Sequence, residues 1–141
     1  MNEATLAQVV VRILERLGFF IEHHKKVIGN TGVEKEFDLM ATQTPTNKTI
    51  AIDFKKNIGS EDQVTDFQIK THDVTGIAEK ILISEDYEQN AADVANANRI
   101  QLWDRQKISE ILESTKNKFD INQLLPRTRM SAMPVTRITI R

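Results

Sequence analysis

The chain has 141 residues, 40% of them hydrophobic and 28% charged, with three histidines and no cysteine. That length suits one domain with its own core, the lack of cysteine excludes disulfides and thiolate metal sites, and no apolar run approaches the roughly 20 residues of a membrane span or a basic-then-apolar signal segment, so the expected setting is cytoplasmic. The net charge of −1 does not advertise nucleic-acid binding, but residues 121–141 hold Arg127, Arg129, Arg137 and Arg141 and no acid, leaving 15 basic residues (19 minus 4) against 20 acidic in the rest, a segregation that fits two separate tasks.

Leu6, Val9, Val10, Ile13, Leu14 and Leu17 recur at helical spacing, with Asn2 placed to cap the start and Gly18 to end the helix. Residues 19–28, "EKEFDLMAT" and "KTIAIDFKK" read as three strands, the last two joined by a hairpin loop in "QTPTN". A second helix follows, with Ser60 and Gln63 at capping-box spacing, a face of Val64, Phe67, Thr71 and Val74, and Gly76 to close it. "AEKILIS" is an apolar fourth strand, "YEQNAADVANAN" a weak helix and "RIQLW" a fifth strand. Asp104 can cap a last helix through Ile108, Ile111 and Leu112. The order α-β-β-β-α-β-α-β-α implies a mixed α/β sheet with helices on both faces. Residues 1–125 are expected to form the domain and 126–141 a basic tail, in which "VTRITIR" has the alternation of an edge strand.

The hairpin carries the chemistry. Folded about the centre of its loop, the second and third strands oppose residues whose numbers sum to 91. Phe37 then meets Phe54, Leu39 meets Ile52 and Ala41 meets Ile50 on one apolar face. On the reverse face Asp38 meets Asp53 and Glu36 meets Lys55. Opposed side chains in an antiparallel pair lie about 5 Å apart at Cβ, so two aspartates there repel. Either one is protonated, or a cation lies between them, and hard oxygen ligands without His or Cys favour Mg²⁺ or Mn²⁺. Lys55, two residues on, points to the same volume and suits a group that orients water or stabilises developing negative charge. The bland alternative is a solvated face with a weak Glu36–Lys55 surface pair.

Asp38 followed about fifteen residues later by Asp53-Phe54-Lys55 resembles the PD-(D/E)xK motif of restriction-endonuclease-like nucleases, and the α-β-β-β-α-β order resembles their core. The likeness is nearest to Mrr-like endonucleases and Holliday-junction resolvases, with Leu17-Gly18-Phe19 after the first helix and Ile100 to Asp104 in a late strand also matching. It departs from the pattern in Phe37, where the motif name has Pro, and in Asp53, where the nearest relatives carry Glu or Gln. The resemblance implies Mg²⁺-dependent (or Mn²⁺-dependent) cleavage of DNA phosphodiesters, with Asp38 and Asp53 holding metal, Lys55 positioning the water, and a homodimer as a common assembly. The acid that many members carry in the first helix is best matched by Glu3, a further metal-ligand candidate whose other reading is a first-turn acid favouring the helix dipole. Alternatives are a non-catalytic nucleic-acid-binding or scaffold protein on the same fold, and a nuclease for junctions, flaps or RNA.

Lys25, Lys26 and Lys56 are candidate phosphate contacts, as are Arg127, Arg129 and Arg137 in the tail. His23 and His24 are adjacent in a strand and so point to opposite faces, which disfavours a shared metal. Gln68 and Trp103 read as buried structural residues.

Overall fold

A computed structural model describes residues 3–44, 46–56, 58 and 60–116. The elements follow the expected order: α1 (Glu3–Arg16), β1 (Phe19–Ile28), β2 (Glu34–Gln43), β3 (Lys48–Lys55), α2 (Glu61–His72), β4 (Glu79–Ser84), α3 (Gln89–Ala97), β5 (Ile100–Trp103) and α4 (Arg105–Lys116). They build one five-stranded sheet in the order β1-β2-β3-β4-β5. The first three strands are antiparallel, and β3, β4 and β5 run parallel. Two cores sandwich the sheet. One holds Leu6, Val10, Ile13 and Leu14 of α1 and Ile108 and Ile111 of α4 against Leu39, Ile50, Ile52, Ile81 and Trp103. The other holds Val64 and Phe67 of α2 and Ala91 and Ala95 of α3 against Met40, Ala51 and Leu82. Both faces of the parallel strands are therefore covered, which is why "KILIS" reads as a continuous apolar run. No described helix is long and apolar enough to cross a membrane.

Helix ends explain where elements stop. Gly18 turns the chain out of α1 with a φ of 90°, a conformation that only a residue without Cβ adopts freely. Asp104 caps α4 by accepting the Lys107 N–H at 2.8 Å. Ser60 occupies the N-cap of α2 but makes no side-chain capping bond, so the capping box suggested by its spacing does not form. Glu61 and Asp62 supply the negative charge that suits that end of the helix dipole instead. α2 also stops at His72 rather than near Gly76, because Asp73 is committed elsewhere. Its carboxylate accepts the Thr31 N–H at 3.0 Å and the Thr31 hydroxyl at 2.8 Å, and its carbonyl accepts the Asn30 N–H. Gly29 approaches so closely that a Cβ there would lie 1.9 Å from Asp73 Oδ2. The tip of the β1–β2 hairpin is thereby tied to the end of α2. Asn2, Pro45 and the basic segment 126–141, with its "VTRITIR" stretch, lie outside the described residues.

The β2–β3 register is the one the apolar pattern implied, with Leu39 opposite Ile52 and Ala41 opposite Ile50. It fails one step further on. Phe37 is fully buried, but in the α2/α3 core and not beside Phe54. β1 changes face at the same level, since Ile21 packs on the α1 side and Val27 on the α2 side. The residue between them, His24, has a φ of 50°, a left-handed conformation uncommon outside glycine. The paired register skips His24 and Asp38 and resumes with Lys25 opposite Phe37. Both strands therefore reverse their inward face together at Asp38.

Candidate active site

The ladder between β2 and β3 runs from Gln43↔Lys48 to Leu39↔Ile52 and stops there. At the next level side chains replace it. The Asp38 N–H donates to Asp53 Oδ1 at 2.9 Å, and the Phe54 N–H donates to Asp38 Oδ2 at 2.8 Å. Each carboxylate is thus fixed by a backbone amide of the opposite strand. This geometry exists because the reversal at Asp38 frees backbone groups that a regular ladder would consume. Asp53 is buried, and Asp38 is partly exposed.

Burial of its carboxyl pushes the Asp53 pKa above the ordinary aspartate value. Hydrogen bonds from Lys70 and the Asp38 amide and the Lys70 charge work the other way, while the nearby Asp38 charge adds to the rise. Lys70, on α2, is the residue that sequence reasoning missed. Its ammonium bonds Asp53 Oδ2 and donates to the Glu36 carbonyl at 2.8 Å. It also stands 4.7 Å from the centre of the Phe37 ring, close enough for a cation–π contact. The signal was available: Lys70 follows Phe67 by three residues, which puts it beside the helix face that packs on the sheet.

Lys55 is half-buried at the end of β3, two residues beyond Asp53, so strand alternation turns it to the α2/α3 side as well. Its backbone pairs with β4 opposite Ser84, and its ammonium has no hydrogen-bond or ion-pair partner among the described residues. The expected Glu36–Lys55 pair does not form. β2 has parted from β3 at that level, and the Glu36 carboxylate lies 3.5 Å from His24 Nδ1 instead.

A family model described as Restriction endonuclease (Mrr_cat) matches residues 1–112. The chain belongs to that family. Solved structures agree in fold. A protein of unknown function, AF1548, is 21% identical with a TM-score of 0.63, the match covering 86% of this chain and 70% of the other. A repair endonuclease from Pyrococcus abyssi is 14% identical with a TM-score of 0.53, covering 74% and 46%, and the protein VC1899 from Vibrio cholerae is 16% identical with a TM-score of 0.61, covering 81% and 32%. The chain thus spans less than half the length of the latter two. No curated protein matches the sequence. The fold is that of the restriction-endonuclease-like nucleases.

Within this restriction-endonuclease domain, Asp38 and Asp53 come together at the carboxyl end of β3, and Lys55 ends that strand two residues beyond Asp53. Glu3 begins α1, and its side chain lies outside the described residues, as do Arg127, Arg129 and Arg137. Lys25 and Lys26 sit on the edge strand β1 beside acids, with Lys25 3.1 Å from Glu22 and Lys26 3.9 Å from Glu34. The first pair is part-buried and the second exposed, and such surface pairs are weak. Lys56 is exposed just past β3. Gln68 accepts a bond from Lys80 at 2.8 Å, a structural contact on the same helix as Lys70. A cavity of about 880 Å³ lies elsewhere, against the starts of β4 and β5 beside Lys80, Arg99 and Trp103, and includes none of the three motif residues.

The donor set suits a hard divalent cation. No cluster of three His, Cys, Asp or Glu occurs among the described residues. Mg²⁺, however, characteristically takes only one or two protein carboxylates and fills its octahedron with water and substrate phosphate. Two carboxylates side by side and oriented by amides, one of them buried, meet that requirement.

Proposed function

We propose that the chain is a divalent-metal-dependent DNA endonuclease that hydrolyses phosphodiester bonds at the carboxyl end of β3. The observation that carries this reading is the reciprocal lock between Asp38 and Asp53, which holds two acids side by side where the strands part. Asp38 and Asp53 are the metal ligands, with Glu3 of α1 as a third candidate, and Mg²⁺ or Mn²⁺ bound there would polarise a phosphoryl oxygen and acidify a water. The amide bonds keep the two acids from swinging apart, so the site is organised before substrate arrives. Lys55 has no competing partner among the described residues and directs its ammonium to the reacting phosphate, where it stabilises charge as it develops. DNA is the substrate, with Lys25, Lys26 and Lys56 and the tail arginines Arg127, Arg129 and Arg137 as contacts to its backbone. A homodimer acts on two strands, and an intracellular location accompanies that substrate.

The test is a cleavage assay on supercoiled plasmid, linear duplex, four-way junction, flap, single strand and RNA, with Mg²⁺, Mn²⁺ or EDTA. Cleavage of at least one DNA in Mg²⁺ or Mn²⁺ and none in EDTA is expected, with Asp53→Ala inactive but still binding DNA. Equal cleavage by Asp53→Ala removes the site assignment. One observation favours a second reading, a non-catalytic nucleic-acid-binding protein on the same fold: Lys70 already neutralises Asp53. DNA binding without cleavage under every metal decides for it.

A further inference from the structure

Lys70 is placed at Asp53 by more than charge. Its ammonium is divided between Asp53 Oδ2 and the Glu36 carbonyl, and its position over the Phe37 ring is backed by the Phe67 ring at 5.9 Å. Glu36 and Phe37 are the two residues before Asp38, so the strand segment that reverses face to make the carboxylate pair also makes the seat for the ammonium. The Asp53 side chain is only 5% exposed and that of Lys70 only 24%, so bulk water screens the contact weakly. α2 itself is held in place from its far end by Asp73 and the β1–β2 loop.

The ammonium takes a lone pair of Asp53 Oδ2 and the Asp38 amide one of Oδ1, so a divalent cation on this carboxylate has to share it with a positive charge already in place. A carboxylate oxygen at about 2.1 Å from Mg²⁺ cannot keep an ammonium at hydrogen-bond distance in the same direction, because two cations that close repel strongly. The Glu36 carbonyl and the two rings, in contrast, hold the lysine without any help from Asp53. We infer that Lys70 is a tethered counter-ion, which neutralises Asp53 in the metal-free protein and is displaced from it when a divalent cation binds. The inference rests on the metal-site reading above. Displacement leaves the ammonium on the Glu36 carbonyl beside the site. It also breaks the Lys70 bond that joins α2 to the Asp53 carboxylate, so metal binding is coupled to how α2 is held.

The experiment is a Mn²⁺ titration of the full chain, reading free Mn²⁺ by electron paramagnetic resonance, for the wild type, Lys70→Met, Lys70→Gln and Asp53→Asn. Methionine keeps the apolar contact with the rings and removes the charge. Both Lys70 variants are expected to bind Mn²⁺ at least about tenfold more tightly, a change of about 1.4 kcal/mol. Without metal they melt at lower temperature than the wild type, since a buried acid has lost its partner, and Mn²⁺ raises their melting temperature by more than it raises that of the wild type. If Lys70→Met does not fold without metal, Lys70→Gln retains a hydrogen-bond donor and supplies the affinity. Unchanged or weaker Mn²⁺ binding in the Lys70 variants, beside clear binding by the wild type, overturns the inference and leaves the metal site standing. Wild-type binding no tighter than that of Asp53→Asn overturns the metal site, and the inference with it.

Discussion

Lys55 and Lys70 are two lysines on the side of the sheet where Asp53 lies, and their surroundings differ. Lys70 is bonded to Asp53 and to a carbonyl, whereas Lys55 has neither kind of partner among the described residues. A group that stabilises charge only as the reaction proceeds should be poorly satisfied beforehand. Lys55→Ala is therefore expected to lower the single-turnover cleavage rate by about 10² or more with little change in DNA affinity, the scale of losing one electrostatic stabiliser. Lys55→Arg should recover little, since the guanidinium differs in shape and holds its proton more firmly. A wild-type rate in Lys55→Ala at saturating Mg²⁺ contradicts the assignment. At this scale the nearness of Asp38 and Asp53 was legible, because the register counted from the hairpin loop brings them to the same level even though the ladder ends one pair earlier. Lys70 was less legible because its helical position says only that it borders the packed face, and which strand residue lies under it depends on how α2 is docked.

At the scale of elements, pattern reading worked wherever the backbone was regular. Leu39 and Ile52, or Ala41 and Ile50, oppose each other as counted because nothing interrupts the ladder between them. It failed at Phe37, where β2 changes face at the level at which His24 of the neighbouring β1 leaves the β region with a φ of 50°. Nor did a capping-box spacing guarantee a capping bond at Ser60. The reversal in β1 and β2 has a direct consequence for stability. Glycine at position 24 relieves the left-handed conformation and valine aggravates it. His24→Gly is expected to leave stability unchanged or to raise it by up to about 1 kcal/mol, and His24→Val to lower it by about 1–2 kcal/mol, both read from urea unfolding. The exposed His24–Glu36 pair at 3.5 Å contributes little to either comparison. Equal losses in both variants would show that the side chain, and not the backbone, maintains the break. The caps give a parallel contrast: Asp104→Ala should cost about 1 kcal/mol, and Ser60→Ala, lacking a capping bond to lose, well under that in the same unfolding measurement.

On the scale of the whole molecule, the charge distribution matters most. A body with 15 basic and 20 acidic residues is not a natural partner for a polyanion, and residues 121–141 add four arginines with no acid. We expect Arg127, Arg129 and Arg137 to contact phosphate and offset the acidic body. Truncation after Leu125 should then weaken DNA binding and flatten the dependence of log affinity on log salt by about 0.9 for each duplex phosphate that the tail had neutralised. An unchanged affinity and slope excludes the tail from binding, and a change from dimer to monomer in sedimentation makes it an assembly arm instead. Element order implied a mixed sheet with helices on both faces, since α-β-β-β-α-β leaves few ways to pair three antiparallel strands and continue in parallel, and the restriction-endonuclease-like architecture came from the resemblance of Asp38 and Asp53-Phe54-Lys55 to that family's motif.

These scales meet at the two aspartates, and the claim most open to direct test is that they share a divalent cation. Crystals soaked in Mn²⁺ allow an anomalous difference map. A peak between the carboxylates, within about 2.3 Å of an oxygen of each, is the predicted result for the wild type, together with its disappearance in Asp53→Asn. A map in which the carboxylates remain locked to their amides with no peak between them, at Mn²⁺ concentrations that support cleavage, contradicts the account.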